Sequence, residues 1–221
     1  MNYQWNFEKV IAYWPALLDG LLVTVAMSIS GFLCSATFGL VVVFARLSPN
    51  RLLSGIAAAY TTFFRGTPFL VQLLWLYYTL PIMTGIAFNS VTTAIIGITL
   101  NLGAFIAETY RAGITSIEVG QRQAALALGM TQAQMMIRIV LPQAILRVIP
   151  PLSSYWVTMF KDTSLFSLIS VYELTYQSRL VVSDTYRPLE MYTLLALIYF
   201  AVTYPQARLV DYLFDKFRVR N

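Results

Sequence analysis

The sequence has no histidine and a single cysteine, Cys34, among 221 residues, and only 11% of its residues are charged. Without histidine there can be no His-based triad, His proton relay or His-bearing zinc site. Cys34 lies in an apolar run and cannot form an internal disulfide. No GxxxxGK[ST] stretch occurs, which excludes a nucleotide held by that kind of loop. No apolar run carries paired carboxylates, so there is no catalytic constellation to nominate. Soluble domains carry about 25% charged residues. A chain so much poorer in charge cannot cover a water-facing surface.

What is present is apolar: 58% hydrophobic residues and a mean hydropathy of +0.66. These values exclude disorder and point to membrane spans. The net charge is +5, but the basic residues are scattered between apolar stretches. That pattern suits a cytoplasmic membrane face better than nucleic acid. The first twenty residues hold one lysine, two acids and no small-residue cleavage site, so they do not read as a signal peptide. Trp5, Phe7, Tyr13 and Trp14 read instead as an interfacial aromatic segment.

Uncharged runs predict an all-α integral membrane protein with five transmembrane helices, near 18–46, 54–80, 90–112, 146–172 and 189–214. Pro81, Gly85 and Asn89 divide the long run 66–107 between the second and third. No internal repeat is visible, and 1–221 reads as one transmembrane domain. Arg46, Arg51, Arg111, Arg122, Arg138, Arg147, Arg208, Lys216, Arg218 and Arg220 would fall on one side. Lys9, Arg179 and Arg187 would fall on the other. The positive-inside bias then places the N-terminus outside and the C-terminus in the cytoplasm.

Four ionisable residues interrupt the spans: Arg65, Glu108, Lys161 and Asp162. Each costs at least ~2.5–3.5 kcal/mol at a helix centre, so such groups face a partner or a cavity. Arg65 and Lys161 each lie ~20 Å into their spans at 1.5 Å per residue. Glu108 has Arg111 at i+3, a spacing that forms a local ion pair. Lys161 and Asp162 are consecutive and cannot face each other on a helix. They read either as a lock between helices or as a solute site, with the hydroxyls of Thr163 and Ser164 following. Phe64-Arg65-Gly66-Thr67-Pro68 reads as a helix break at the same level.

Residues 112–147 form the longest non-spanning segment. Residues 120–129 predict a short helix of small residues closed by Gly129. Thr131 and Gln134 then form a capping box, and the helix they open is expected to end at Pro142. Such a pair suits either a partner's groove or the membrane surface.

Here the sequence resembles a known family. Gln123-Ala124-Ala125, then Gly129, then Ile139-Val140-Leu141-Pro142 is similar in spacing to the EAA loop of ABC-importer permeases. Residues 64–68, 107–114, 120–121 and Lys161-Asp162-Thr163-Ser164-Leu165 resemble, in order, segments of the polar amino-acid branch of that family. The family often has Glu where this chain has Gln123, so a charge-dependent contact is not available there.

The resemblance implies a permease domain with a cytoplasmic coupling loop over 115–142, between spans 3 and 4. It implies that Gln123, Ala124, Ala125, Leu128 and Gly129 meet ABC ATPase subunits, which themselves bind ATP and Mg. It further implies a second permease subunit, identical or homologous, an extracytoplasmic solute-binding protein, and a location in the bacterial inner membrane. The permease itself would be non-catalytic, with no cofactor of its own, and would move polar amino acids inward by alternating access. The resemblance places solute contacts at Asp162, Thr163, Ser164 and Met159, with Glu108 and Arg65 as further candidates. The intramembrane charges alone would also suit a gradient-driven secondary carrier or a membrane scaffold subunit. The small span count and the lack of an inverted repeat argue against the carrier.

Overall fold

A computed structural model describes residues 3–217, and helix is the only regular structure among them. Arg218 and Arg220, counted above on the basic side, lie outside the described residues. In chain order the helices are α1 (Glu8–Ile11), α2 (Trp14–Arg46), α3 (Arg51–Gly66), α4 (Phe69–Leu74), α5 (Leu80–Thr84) and α6 (Ser90–Thr115). They continue with α7 (Val119–Ala127), α8 (Gln132–Met135), α9 (Leu141–Asp162), α10 (Leu174–Thr185) and α11 (Pro188–Phe217). π-helical turns Trp75–Thr79 and Met136–Val140 link α4 to α5 and α8 to α9, and a 3-10 turn, Thr163–Ile169, extends α9.

Four helical runs are long and apolar enough to cross a membrane: Trp14–Arg46, Ser90–Thr115, Gln132–Ile169 and Pro188–Lys216. The second predicted span differs. It is not one helix over 54–80 but two shorter pieces, α3 and the apolar run Phe69–Thr84. Pro68 causes the division: it lacks an N–H and forces the preceding residue out of the helical region. Thr67 is accordingly extended, at φ −118° and ψ 143°.

Two other prolines do not stop helices where expected. Pro81 lies inside α5, and Pro142 lies near the start of α9, whose helix runs on to Asp162. A π turn ends two residues before each of them. Proline's ring clashes with the carbonyl four residues back, and a wider i→i+5 turn opens the space for it. Of the three residues expected to make the break, Gly85 and Asn89 do so: Gly85 is left-handed at φ 72°, where only glycine is unstrained. Asn89 then accepts the Thr92 N–H at 2.8 Å and opens α6.

The chain divides into two compact units. The first joins residues up to Leu33 with Phe69–Ile98 and Trp156–Ala207. Its core includes Val10, Leu17, Leu174, Val181, Met191 and Ile198. Gly20 makes the packing of α2 on α10 possible, because a Cβ there would lie 2.9 Å from Leu174 Cα. Small residues let backbones approach in this way where lipid supplies no hydrophobic drive between helices. The second unit joins Cys34–Pro68, Thr99–Tyr155 and the stretch from Arg208. Within it a small core of Ile117, Ala125, Met135 and Val140 holds α7, α8 and the π turn together.

Candidate functional site

The predicted site residues divide between the two units. In the second, Glu108 on α6 is gripped from two sides. Arg111 Nε lies 2.8 Å from Oε2, the i+3 pair expected from the sequence, and Arg46 Nε lies 2.9 Å from Oε1. Thr61 Oγ1 on α3 is 3.4 Å from Oε1. Both carboxylate oxygens are therefore engaged inside the protein, and the ends of α2, α3 and α6 are tied together. Arg46 is 62 positions away in the chain, which no local spacing rule reaches. Arg65, exposed at the end of α3, places its guanidinium 5.5 Å from the centre of the Phe105 ring, within cation–π range.

The remaining residues lie in the first unit. Met159 and Thr163 are fully buried. Thr163 Oγ1 donates to the Phe160 carbonyl at 2.7 Å. Lys161 is exposed and Asp162 half-buried, on different faces of the helix end. Neither joins a salt bridge among the described residues. Val157, Lys161 and Ser164 line a groove of about 480 Å³, whose other wall is Tyr199, Phe200, Thr203 and Tyr204 of α11. Ser164 and Lys161 are the predicted intramembrane polar residues that reach this space.

Two buried carboxylates escaped the sequence reading. Glu173 precedes α10 and is 0% exposed. Its Oε1 caps that helix, accepting the Tyr176 N–H at 2.7 Å. Its Oε2 accepts from the Tyr199 hydroxyl at 3.1 Å and lies 3.5 Å from Thr24 Oγ1. Thr24 in turn accepts the Leu174 N–H at 3.1 Å, and Thr175 Oγ1 is 3.0 Å from the Tyr199 hydroxyl. No salt bridge reaches Glu173 among the described residues. Burial therefore pushes its carboxyl up to about 7, against the lowering pull of the hydrogen bonds it accepts. The local sequence gives the N-cap role but not the burial, which follows from the close approach of α2 at Gly20.

Glu190, also 0% exposed, pins the N-terminal segment to the start of α11. It accepts from the Tyr3 hydroxyl and, at 2.9 Å, from the Asn6 N–H. Arg187 Nη1 lies 3.4 Å from it and donates to the Gln4 carbonyl at 2.9 Å. Trp5, expected at the membrane interface, stacks on Phe7 with ring centres 5.5 Å apart.

The predicted coupling residues occupy α7 and the turn after it. Gln123, Ala124, Leu128 and Gly129 are exposed, Leu128 at 83%. Ala125 faces the other way, at 2% exposure, into the core with Ile117, Met135 and Val140. Gly129 is left-handed at φ 78°, and the Thr131–Gln134 capping box forms as expected. Arg122 donates to the Ile114 carbonyl, and Gln143 Nε2 donates to Gln121 Oε1 at 2.8 Å. The segment thus holds its own shape and presents an apolar tip.

Residues 31–219 match the family described as binding-protein-dependent transport system inner membrane component. The glutamine transport system permease protein GlnP of Escherichia coli (strain K12) is 35% identical over 211 residues, covering 92% of each chain. The probable amino-acid ABC transporter permease protein YckA of Bacillus subtilis (strain 168) is 38% identical, covering 91% of this chain and 88% of its own. Among solved structures, an amino acid ABC transporter with histidines matches at TM-score 0.91 and 31% identity, over 97% of this chain and 100% of that one. The inward-facing MetNI methionine ABC transporter matches at TM-score 0.68, over 91% of this chain and 98% of that one; at 19% identity it shares the fold. The chain therefore belongs to the binding-protein-dependent inner-membrane components, the permease subunits of ABC importers.

Proposed function

We propose that this permease moves a polar amino acid into the cell by alternating access, powered by ATP and Mg held in separate ATPase subunits. The observation that carries the substrate class is full-length similarity to a glutamine permease and to an amino acid transporter of solved structure. On this reading the chain crosses the membrane five times, the second crossing being made by α3 together with Phe69–Thr84. The N-terminus is outside and the C-terminus cytoplasmic. A second permease subunit completes the pathway, and an extracytoplasmic solute-binding protein delivers the amino acid.

The coupling surface is Gln123, Ala124, Leu128 and Gly129. Their exposure and the apolar tip they form support docking to an ATPase. Ala125 contributes by holding α7 on its own core. ATP hydrolysis transmits to the pathway only if the ATPase states differ in affinity for the two permease states. For solute contact we assign Asp162 first. It is half-buried at the end of α9, has no salt-bridge partner among the described residues, and is followed by Thr163 and Ser164. Met159 and Thr163 would act by shaping the helix end, and Arg65 and Glu108 by fixing the second unit.

The test is uptake by proteoliposomes containing this chain, its ATPase and its solute-binding protein, measured over a panel of amino acids. Uptake that needs ATP and the binding protein supports the reading. Uptake driven by an ion gradient without ATP refutes it. Asp162→Asn should weaken uptake of a cationic amino acid while the complex stays assembled; unchanged uptake removes Asp162 from the site.

A further inference from the structure

We propose, resting on the reading of α7 as the dock for the ATPase, that Gln121 and Gln143 are positioning residues of the import cycle. Their amide pair makes α7 move as one body with the start of α9. Gly120-Gln121 resembles a family segment but lies outside the coupling surface assigned above. Gln121, itself exposed, stands one turn before the buried Ala125 and on the same side of α7. Its Oε1 accepts from Gln143 Nε2 on α9 at 2.8 Å, across 22 positions of chain.

The chain itself is a poor transmitter between these helices. From α7 to α9 it passes the left-handed turn at Gly129, the four-residue α8 and the π turn Met136–Val140. A displacement of the exposed tip at Leu128 can be taken up in any of them. The core of Ile117, Ala125, Met135 and Val140 is apolar, and apolar attraction is non-directional. It holds α7 down without fixing its register, whereas a hydrogen bond sets direction as well as distance. The amide pair bypasses all three turns. Gln143 is oriented for the task, because its Nε2 also donates to the Ile139 carbonyl at 2.9 Å. Both of its amide protons are thereby committed.

The surrounding contacts make the start of α9 firm enough to follow. Arg147 Nη1 donates to the Ser116 carbonyl at 2.8 Å and to Ser116 Oγ at 2.9 Å. A Cβ on Gly113 would lie 3.3 Å from the Ala144 carbonyl, so α6 and α9 approach backbone to backbone. Arg122 ties α7 to the Ile114 carbonyl at the end of α6, a connection that residues 116–118 already make along the chain. The tie to α9 has no such short covalent parallel. Its two halves differ in chemistry: Gln121 serves as acceptor and Gln143 as donor. Gln121→Glu therefore preserves the bond, whereas Gln143→Glu sets a carboxylate against two acceptors.

The test uses the whole complex of permease and ATPase in lipid nanodiscs, with Cys34→Ser and a reporter, Ser153→Cys, on α9. The rate at which a charged maleimide labels the reporter is measured without nucleotide and with ATP, Mg and vanadate trapped in the ATPase. With the amide pair intact the rate should change on trapping. Gln143→Leu and Gln143→Glu should lose that change while the ATPase stays bound and still hydrolyses ATP. Gln121→Glu should keep it. Gln121 is exposed, so Gln121→Leu costs the fold little and should repeat the loss even where position 143 proves sensitive to substitution. A change that survives in Gln143→Leu or Gln121→Leu overturns the proposal. So does a reporter that ignores the nucleotide with the pair intact, since α9 then does not follow α7. Loss of the ATPase from Gln121→Leu overturns it too, because the residue then belongs to the docking surface. If the unaltered complex holds no ATPase, the docking reading falls and this proposal with it. The readout uses no solute, so the amino-acid assignment is judged separately by uptake.

Discussion

Replacing Glu173 with glutamine should make this permease more stable at pH 8 and leave it nearly unchanged at pH 5. A carboxyl with an ordinary value of 4.5 that rises to about 7 on folding binds a proton more tightly in the folded chain than in the unfolded one. Between those values folding takes up protons, so the group's stabilising contribution is present at low pH and lost as pH rises towards 7. The shift is worth about 3 kcal/mol at 1.36 kcal/mol per pKa unit. At roughly 2–4 °C per kcal/mol for a chain of this size, that is about 6–12 °C in Tm.

Glutamine mimics the protonated form. Its oxygen can still accept the Tyr176 N–H, and its NH₂ can donate to the Tyr199 or Thr24 oxygen. The assay is thermal unfolding of the full complex in one detergent across about pH 5 to pH 8, comparing the slope of wild type with that of Glu173→Gln. The other titrating groups are common to both, so their contribution cancels in the difference. Equal slopes refute the argument. A variant less stable than wild type at pH 8 refutes it too, because the cluster would then need the carboxylate charge.

Leu128→Asp should leave the permease folded and abolish co-purification of the ATPase, whereas Ala125→Arg should destabilise the coupling segment itself, seen as faster proteolysis after α6. Glu108→Gln should lower stability by about 2 kcal/mol by stranding Arg46 and Arg111, read as a lower Tm; an unchanged Tm with altered solute specificity would reverse that assignment. Gly113→Ala should cost about 1–3 kcal/mol by overpacking, since its Cβ would meet Val148 Cγ2 at 2.4 Å and valine has little rotamer freedom. Unfolding midpoints of that variant alone and with Val148→Ala decide whether the clash is the cause.

The sequence disclosed what depends on short range. Hydropathy located the long helices, Gly66-Thr67-Pro68 the break after α3, Thr131 and Gln134 the capping box, and the i+3 spacing the Glu108–Arg111 pair. It places the break at Gly85 and Asn89 correctly but gives Pro81 and Pro142 a stopping role they do not have, because proline alone reads as the end of a helix. The π turns that accommodate both rings are features of backbone hydrogen bonding with no side-chain signature of their own. Leu80-Pro81 and Leu141-Pro142 each follow such a turn directly, so each helix continues past the proline with a local widening instead of a stop. Glu173 and Glu190 stand at span edges, Glu173 just past 146–172 and Glu190 second in 189–214, where a carboxylate reads as facing water. Their burial arises from contacts with Thr24 and Tyr3, 149 and 187 positions away.

The same physics explains why the functional candidates behave unequally under this reading. The i+3 spacing reads Glu108 as an ion pair and the resemblance makes it a further solute candidate; the structure meets the expense of a carboxylate in an apolar span with two arginines and a threonine. Lys161 raised the same expectation, and no described residue meets it with an ion pair. An intramembrane charge whose partners lie within the fold is evidence about assembly. One that, like Asp162, joins no salt bridge among the described residues is evidence about a ligand. That distinction sets Glu108 aside as a tie between helices and keeps Asp162, at the end of α9, as the first candidate for solute contact.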